Sequence, residues 1–308
     1  MNKEEILHKY SDKIYFDQPI PYIAENKEQE YKELKIKIQE LEYLVKMNNV
    51  EDKQINKILQ NLKIELESLI LYIAPFKIKD FFSFGAIECL QVKKDLIPNA
   101  KIITMKYLDF LLYSDEKINN IKYLSELITI LKICCNINPI NIDYKIDNKG
   151  HSVLILNNIE YTWKDFDNIR SIINYQNISN YNERYIDPKL QAVIDEARAF
   201  KNKGKKTATL EELMSCIVVS TGYKYEEIYN MSIRKFYITL ERASYKLDWQ
   251  LLKAGIYNGT IKETEIPYWQ ETLSKEDDFS DVVSDFDKFS NKINKSNTNN
   301  ISRRNNKK

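Results

Sequence analysis

Two histidines and four cysteines are the side chains of this sequence best suited to acid–base, nucleophilic or metal chemistry. His8 lies near the beginning of the sequence, and His151 follows Gly150 at a predicted β-turn. Neither histidine has an acidic or thiol neighbour at a spacing typical of metal ligands. Because catalysis requires positioned partners, an ordinary surface role is favoured for both histidines. We therefore expect no catalytic residue, no metal, no cofactor and no enzyme.

The cysteines are Cys89, Cys134, Cys135 and Cys216, and no Cys-x-x-Cys spacing occurs. A redox pair at Cys134 and Cys135 is one interpretation. Placement of one thiol in the core and the other at a helix end is favoured, because free cysteine behaves as a small apolar residue. Cys216, within the apolar run 214–219, is also expected in the core. Scattered cysteines of this kind are typical of reduced thiols in a cytosolic protein.

The composition disfavours several functional classes. Only 6 of the 308 residues are glycine, and phosphate-binding loops depend on glycine. The net charge of +1 gives no overall basicity that would indicate a nucleic-acid-binding protein. Apolar runs such as Leu69–Phe76 are too short to span a bilayer. The charged start has no apolar run behind it, so neither a signal peptide nor a membrane partner is expected.

One segment, residues 209–230, resembles a helix-turn-helix unit in outline. DNA-reading helices present basic and amide side chains to the groove. The second helix here would present Tyr225, Glu226 and Glu227, and its carboxylates would be repelled by phosphates. Nucleic acid is therefore disfavoured as a partner. A basic loop at 201–206 keeps a DNA-binding regulator as the alternative function.

A coiled-coil-like helical hairpin is predicted over residues 26–68, which contain neither glycine nor proline. Apolar residues recur every three or four positions on both sides of a break at Asn48–Asp52, a pattern typical of amphipathic helices. Helices this short are marginal alone in water, so their apolar stripes must pack on each other, on the body or on a partner. The candidate partner-binding residues in the hairpin are Leu34, Ile38, Leu41, Val45, Leu59, Leu62 and Leu66.

A small antiparallel β meander is predicted near 141–162. Ile142, Tyr144 and Ile146 alternate with polar residues, which indicates a strand with one apolar face. Turns at 147–150 and 157–158 separate it from the strands that follow. Directly after the meander, Thr162 and Asp165 have the spacing of a capping box that begins a helix.

The predicted fold is thus mainly α, in the α+β class, with a helical body, the meander and an N-terminal helical hairpin. The low-complexity end, acidic and then basic, is expected to be disordered. The predicted divisions are an extended N-terminal segment at 1–25, the hairpin at 26–68, a helical and β-meander domain at 69–180, a C-terminal helical domain at 181–270 and a disordered tail at 271–308.

Tyrosine is unusually frequent, with 21 residues. Tyrosine combines apolar area with a hydroxyl group and is enriched at protein–protein interfaces. An AT-rich genome would raise the tyrosine count by itself, and the sequence leaves both explanations open. The tyrosines crowd the region 223–257, and the candidate partner-binding residues among them are Tyr225, Tyr229 and Tyr237.

Several segments of the sequence look familiar, and together, in one order, they cover roughly two thirds of the chain. They are Ile20-Pro21-Tyr22, the stretches 71–82, 97–111 and 161–170, residues 209–255 with Glu227-Ile228-Tyr229-Asn230-Met231-Ser232, and Ile266-Pro267-Tyr268-Trp269. In this order the sequence resembles proteins from the tail gene clusters of phages that infect Gram-positive bacteria. The hairpin and the C-terminal tail look like additions to that order.

The resemblance implies a non-enzymatic tail or baseplate assembly protein, of the tail-assembly-chaperone kind. It implies other tail proteins as partners, namely tape-measure, tube or baseplate components, with self-association as a further expectation. It also implies a protein in the host cytoplasm, or one associated with the virion. The family brings no active-site residues, so none are carried over.

Overall fold

The computed structural model describes residues 3–48, 53–94, 97, 99–113, 121–178, 181, 196 and 208–259 of the chain. Within them, helices dominate and the strands form two small antiparallel sheets. The mainly helical α+β class predicted from the sequence is confirmed. In these ranges no helix is both long and apolar enough to cross a membrane. The tail predicted at 271–308 and the basic loop at 201–206 lie outside the described residues.

The chain forms two compact units. One contains residues 1–181 and 217–241, and the other contains residues 182–216 and 242–308. The domain boundaries predicted from the sequence are finer than this division, and they stay predictions.

The N-terminal residues form a helix, α1, which spans Lys3–Tyr15. Ile6, Tyr10 and Ile14 recur every four residues and are buried, which is the apolar stripe of an amphipathic helix. The extended conformation predicted for 1–25 is therefore wrong for this part of the segment. The helical stripe decides the local structure here, and the extended conformation favoured by the nearby prolines begins only after it.

Two short strands flank the hairpin in the sequence. Strand β1, Ile20–Tyr22, pairs antiparallel with β2, Leu71–Ile73. Between them lie α2, Glu28–Asn48, and α3, Lys53–Ser68. The pairing of β1 with β2 brings the two ends of the insertion together.

The middle of the chain is a packed helical layer. Its core includes Leu108, Leu127 and Leu131, which are buried. The 3₁₀-helical segment packs against the last helix of the layer, and the helices pack on each other. The elements are the 3₁₀-helical segment Ile78–Leu90, α4 at Ala100–Thr104, α5 at Tyr107–Leu112 and α6 at Ile121–Cys134.

The three-stranded sheet has the order β3–β4–β5, with β3 at Ile142–Ile146, β4 at Ser152–Leu156 and β5 at Ile159–Tyr161. This is the meander that the alternation predicts. Helix α7, Trp163–Asn177, packs on β4 and β5. Its first turn has the predicted capping box, in which the Thr162 side chain accepts from the Asp165 backbone N–H and the Asp165 carboxylate accepts from the Thr162 N–H.

The described stretch 208–259 contains three helices, namely α8 at Leu210–Thr221, α9 at Tyr225–Tyr229 and α10 at Ile233–Tyr257. The segment that joins α9 to α10 forms backbone hydrogen bonds with the residues just after β2. The Ile78 N–H donates to the Met231 carbonyl at 3.0 Å, and the Ile233 N–H donates to the Phe76 carbonyl at 2.9 Å. We call this contact the junction, made by residues 76–78 and 231–233.

Asp17 reinforces the junction from a third part of the chain. Its Oδ1 accepts from the Ser232 hydroxyl at 2.7 Å, and its Oδ2 accepts from the Ser232 N–H at 3.2 Å. The Ser232 hydroxyl in turn accepts from the Lys235 N–H at 3.1 Å, so it caps α10. A carboxylate at a helix N-terminus is favoured by the helix dipole. Asp17 reaches this position with φ at 56°, a conformation rare for residues other than glycine.

Candidate interaction site

The hairpin packs its two helices against each other. Ile38 of α2 and Leu62 of α3 are buried, and the other stripe residues are half-buried. A salt bridge joins Lys63 Nζ to Glu42 Oε1 across the helices at 2.6 Å. The stripe residues predicted to bind a partner, at positions 34, 38, 41, 45, 59, 62 and 66, therefore lie along the seam of the hairpin itself.

The solvent-exposed apolar residues of the hairpin lie outside the predicted stripes. Each is more than half exposed. The sequence could have indicated these residues, because the hairpin contains more apolar residues than its two stripes use. An exposed apolar face of this kind is typical of a contact surface. The residues are Ile36, Tyr43, Leu44 and Met47 of α2 and Ile58 and Ile64 of α3.

Leu62→Asp is expected to open the hairpin, because it places a charge in the seam. Amide exchange over 28–68 should accelerate at least about tenfold, as the seam stabilises these short helices. Residues 121–177 should keep their protection. The matched control is Ile64→Asp, since Ile64 is 61% exposed against 8% for Leu62. Equal exchange in the two variants, measured by mass spectrometry, would show that no seam holds the hairpin.

The predicted interface tyrosines are accessible. Tyr225 and Tyr229 lie one helical turn apart on α9, and each is 51% exposed. Tyr237, on the second turn of α10, is 42% exposed. Ile228, between the first two, is fully buried and anchors α9 to the body. The short helix thus presents one tyrosine face to solvent and one apolar residue to the core.

The same geometry counts against DNA recognition. Helix α9 has only 5 residues, whereas a recognition helix must reach along the major groove. Glu226 and Glu227 are exposed on it. The Glu227 carboxylate accepts from the Lys224 N–H at 2.8 Å and so caps the helix. Phosphates would meet carboxylates on this surface, which repel them.

His151 gains an acidic partner that its sequence neighbourhood does not show. Its Nδ1 lies 3.1 Å from Asp109 Oδ2, and the other oxygen of Asp109 accepts from the Ser152 N–H at 2.6 Å. The imidazole also contacts the edge of Trp163, with ring centroids 6.3 Å apart. The spacing of residues along the chain could not indicate this pair, since Asp109 lies 42 residues earlier than His151.

The hydrogen bonds of Asp109 join α5 to the beginning of β4, so this residue has a structural role. In the described part of the chain, no group of three or more histidine, cysteine, aspartate or glutamate residues could hold a metal ion. Because Asp109 of α5 contacts both His151 and Ser152, we interpret the Asp109–His151 pair as a link between the helical layer and the sheet.

The cysteines divide into buried and exposed thiols. Cys89, Cys134 and Cys135 are buried. Burial raises the pKa of the Cys135 thiol to about 12 and the pKa of Cys134 well above its ordinary value. Because the thiolate is the reactive form, both thiols of the adjacent pair stay protonated and unreactive at neutral pH. Cys216 is exposed, not in the core as expected, because the neighbouring Ile217 occupies the buried face of α8.

Comparison with known families matches one part of the chain. Residues 201–274 match the family described as the YomV second domain. This segment is similar to a phage-derived domain. The match covers about a quarter of the sequence and includes α8, α9 and α10. No curated protein and no solved structure matches the chain.

The YomV-like segment, residues 201–274, contains the three candidate tyrosines at positions 225, 229 and 237. It also contains Ser232 and Ile233, which form the junction with residues 76–78. The exposed tyrosines and the residues of the junction thus belong to the same short stretch of chain. Residues that hold this stretch in place are distinct from those available to a partner.

Proposed function

We propose that the protein is a non-enzymatic phage tail or baseplate assembly protein that binds other tail proteins, in the manner of a tail assembly chaperone. The observation that carries this proposal is the set of exposed tyrosines inside a segment similar to a phage-derived domain. The ordered resemblance to proteins of phage tail gene clusters points the same way. The protein would act in the host cytoplasm, on tape-measure, tube or baseplate components, or remain with the particle.

Tyrosine is well suited to this task. A ring that is half exposed still offers large apolar area to a partner, while its hydroxyl remains hydrated or hydrogen-bonded. Tyr225 and Tyr229 project from a helix that is fixed by the buried Ile228. Little backbone order must therefore be gained on binding, because the backbone is already held. Aromatic residues on such a rigid base are typical centres of binding energy.

The exposed apolar face of the hairpin offers a second contact. Tyr43 and Met47 lie near the end of α2, away from the strands that join the hairpin to the body. A surface at this position can reach a partner, or a second copy, without involving the junction. We propose it as an additional contact for tail proteins.

The double variant Tyr225→Ala, Tyr229→Ala is expected to weaken binding to the cognate tail protein about 30-fold or more. Interface tyrosines at binding centres each contribute about 1–2 kcal/mol, and 1.4 kcal/mol corresponds to a factor of ten. The measurement is calorimetric titration against tape-measure, tube and baseplate proteins encoded in the same genome. Tyr257→Ala is the control, since Tyr257 is 87% exposed at the other end of α10.

Two outcomes contradict different parts of the proposal. If the wild-type protein binds none of the neighbouring tail proteins, the proposed function is wrong. If it binds one of them and the double variant binds equally well, the function stands but the tyrosines do not carry it. Mass spectrometry of purified particles then separates a chaperone, which is absent from them, from a component that stays.

A further inference from the structure

Among the residues that the structure describes, strand β3 is an edge of the three-stranded sheet, and its hydrogen bonds to β4 fix which backbone groups point outward. The Asp147 N–H donates to the His151 carbonyl at 2.8 Å, and the Asn157 N–H donates to the Asn141 carbonyl at 3.1 Å. In an antiparallel pair, alternate residues bond to the neighbour. The odd-numbered residues 141–147 therefore bond to β4. The N–H and C=O groups of the even-numbered residues of β3 point to the free edge.

Those even-numbered residues also carry the apolar side chains of β3. Tyr144 lies opposite Leu154, and Ile142 lies opposite Leu156, so they share one face of the sheet with these two leucines. Leu154 and Leu156 are buried, but Tyr144 is 52% exposed and Ile146 is 71% exposed. The apolar face of the sheet is thus buried at β4 and exposed at the edge strand β3. An exposed apolar edge strand is a template for pairing with another strand.

The sequence of β3 is complementary to itself when read in the opposite direction. It reads Ile142-Asp143-Tyr144-Lys145-Ile146. An antiparallel pair centred on Tyr144 places Ile142 opposite Ile146 of the second copy and Asp143 opposite Lys145 of the second copy. Apolar residues then meet apolar residues, and opposite charges meet on the other face.

We propose that β3 pairs antiparallel with β3 of a second copy of this chain, with the two-fold axis at Tyr144. The pairing joins two three-stranded sheets into one. In this register the outward N–H and C=O groups of the even-numbered residues face those of the second copy, so every one of them is hydrogen-bonded. A dimer with a two-fold axis requires such a self-complementary surface. The proposal is independent of the proposed function.

One contact of the free chain changes on pairing, and a second one is kept. The Asp143 carboxylate accepts from the outward Tyr144 N–H at 2.8 Å, so it covers part of the edge. On pairing, this carboxylate moves to Lys145 of the second copy and the N–H passes to the opposite strand. Lys145 Nζ lies 2.5 Å from Glu160 Oε1, which holds its ammonium group on the same face as Asp143. Because a contact is exchanged and the strands are short, the dimer is a weak one that forms with rising concentration.

The test is a charge exchange in the full-length chain, measured by sedimentation velocity from about 1 µM to about 500 µM, the range of weak complexes. The single variants Asp143→Lys and Lys145→Asp each place like charges opposite one another twice, and each should dimerise at least about tenfold more weakly. The double variant should return to within about threefold of the wild-type dissociation constant, because both pairs become complementary again. Both positions are exposed, so the variants should fold normally, with circular dichroism as the check.

A mixture of the two single variants gives the sharpest result. Asp143→Lys opposite Lys145→Asp restores both opposite-charge pairs in the antiparallel heterodimer. The mixture should therefore associate more tightly than either single variant alone. A wild-type chain that stays monomeric over the whole range overturns the proposal. So does a dimer whose dissociation constant is unchanged in the single variants, since such a dimer uses another surface.

Discussion

Replacement of Asp165 by alanine is expected to lower the free energy of unfolding by about 4 kcal/mol, because a buried charged acceptor is removed and its donors lose their partner. Asp165 is fully buried. Its Oδ1 accepts from the Tyr22 hydroxyl at 2.8 Å and the Glu25 N–H at 3.0 Å. Its Oδ2 accepts from the Thr162 N–H at 2.9 Å and the Thr162 hydroxyl at 2.7 Å.

These bonds tie the N-terminal end of α7 to the segment that follows β1. Burial raises the pKa of Tyr22 far above its ordinary value, so its hydroxyl stays a donor throughout the usual pH range. The carboxylate also lies at a helix N-terminus, where the helix dipole favours negative charge. Asp165 thereby fixes the position from which the hairpin leaves the body.

The melting temperature of Asp165→Ala should fall by about 10 °C, since about 1 kcal/mol corresponds to roughly 2–4 °C in a domain of this size. Differential scanning calorimetry or thermal circular dichroism would measure the shift. Asp165→Asn is the control: it keeps the shape and one acceptor, so an intermediate loss is expected. A melting temperature within about 2 °C of the wild-type value for Asp165→Ala would refute the assigned role, since that shift is worth no more than about 1 kcal/mol.

Phe236→Ala is expected to cost about 3–5 kcal/mol through the cavity it leaves in the core. Phe236 is fully buried in the first turn of α10, next to the junction. Without this ring, the hydrogen bond from the Ile233 N–H to the Phe76 carbonyl would be less well supported by apolar packing. Amide exchange over 217–241 should accelerate more than exchange over 121–177.

The neighbouring residue supplies a matched control. Tyr237 is 42% exposed, and Tyr237→Ala should change stability by less than about 1 kcal/mol, as is usual at exposed positions. The two variants separate the contribution of core packing from that of partner binding. Phe236→Ala should lose stability, whereas Tyr237→Ala should mainly affect partner binding. Equal melting temperatures for the two variants would contradict this division.

Much of the local structure follows from the sequence. Apolar residues spaced by three and four positions predict α2 and α3, because only an α-helix brings such residues to one side. The capping box at Thr162 and Asp165 is found as predicted, because both partners lie within one helical turn. The meander follows from alternation and its turns, and Asn157 and Asn158 in that turn take positive φ values of 49° and 67°.

The sequence decides less about which apolar residues reach a partner. The periodicity identifies the stripe of the hairpin, but the same stripe serves an internal seam or an external contact equally well. Ile38 and Leu62 are used for the seam, while Tyr43 and Met47 remain outside it. For the tyrosines, the exposure of Tyr225 and Tyr229 follows only from the burial of Ile228 against the body.

Other features depend on contacts between distant parts of the chain. Asp109 meets His151, Tyr22 meets Asp165 and Asp17 meets Ser232, over 42, 143 and 215 positions respectively. No local pattern specifies these pairs, because they form only when packed helices and strands bring their ends together. The sequence by itself determined the two helices of the hairpin, the meander and their apolar faces, since these depend on neighbouring residues and backbone geometry. The tertiary structure alone decided the polar links and the free edge of β3, since both depend on what lies beside each element in space.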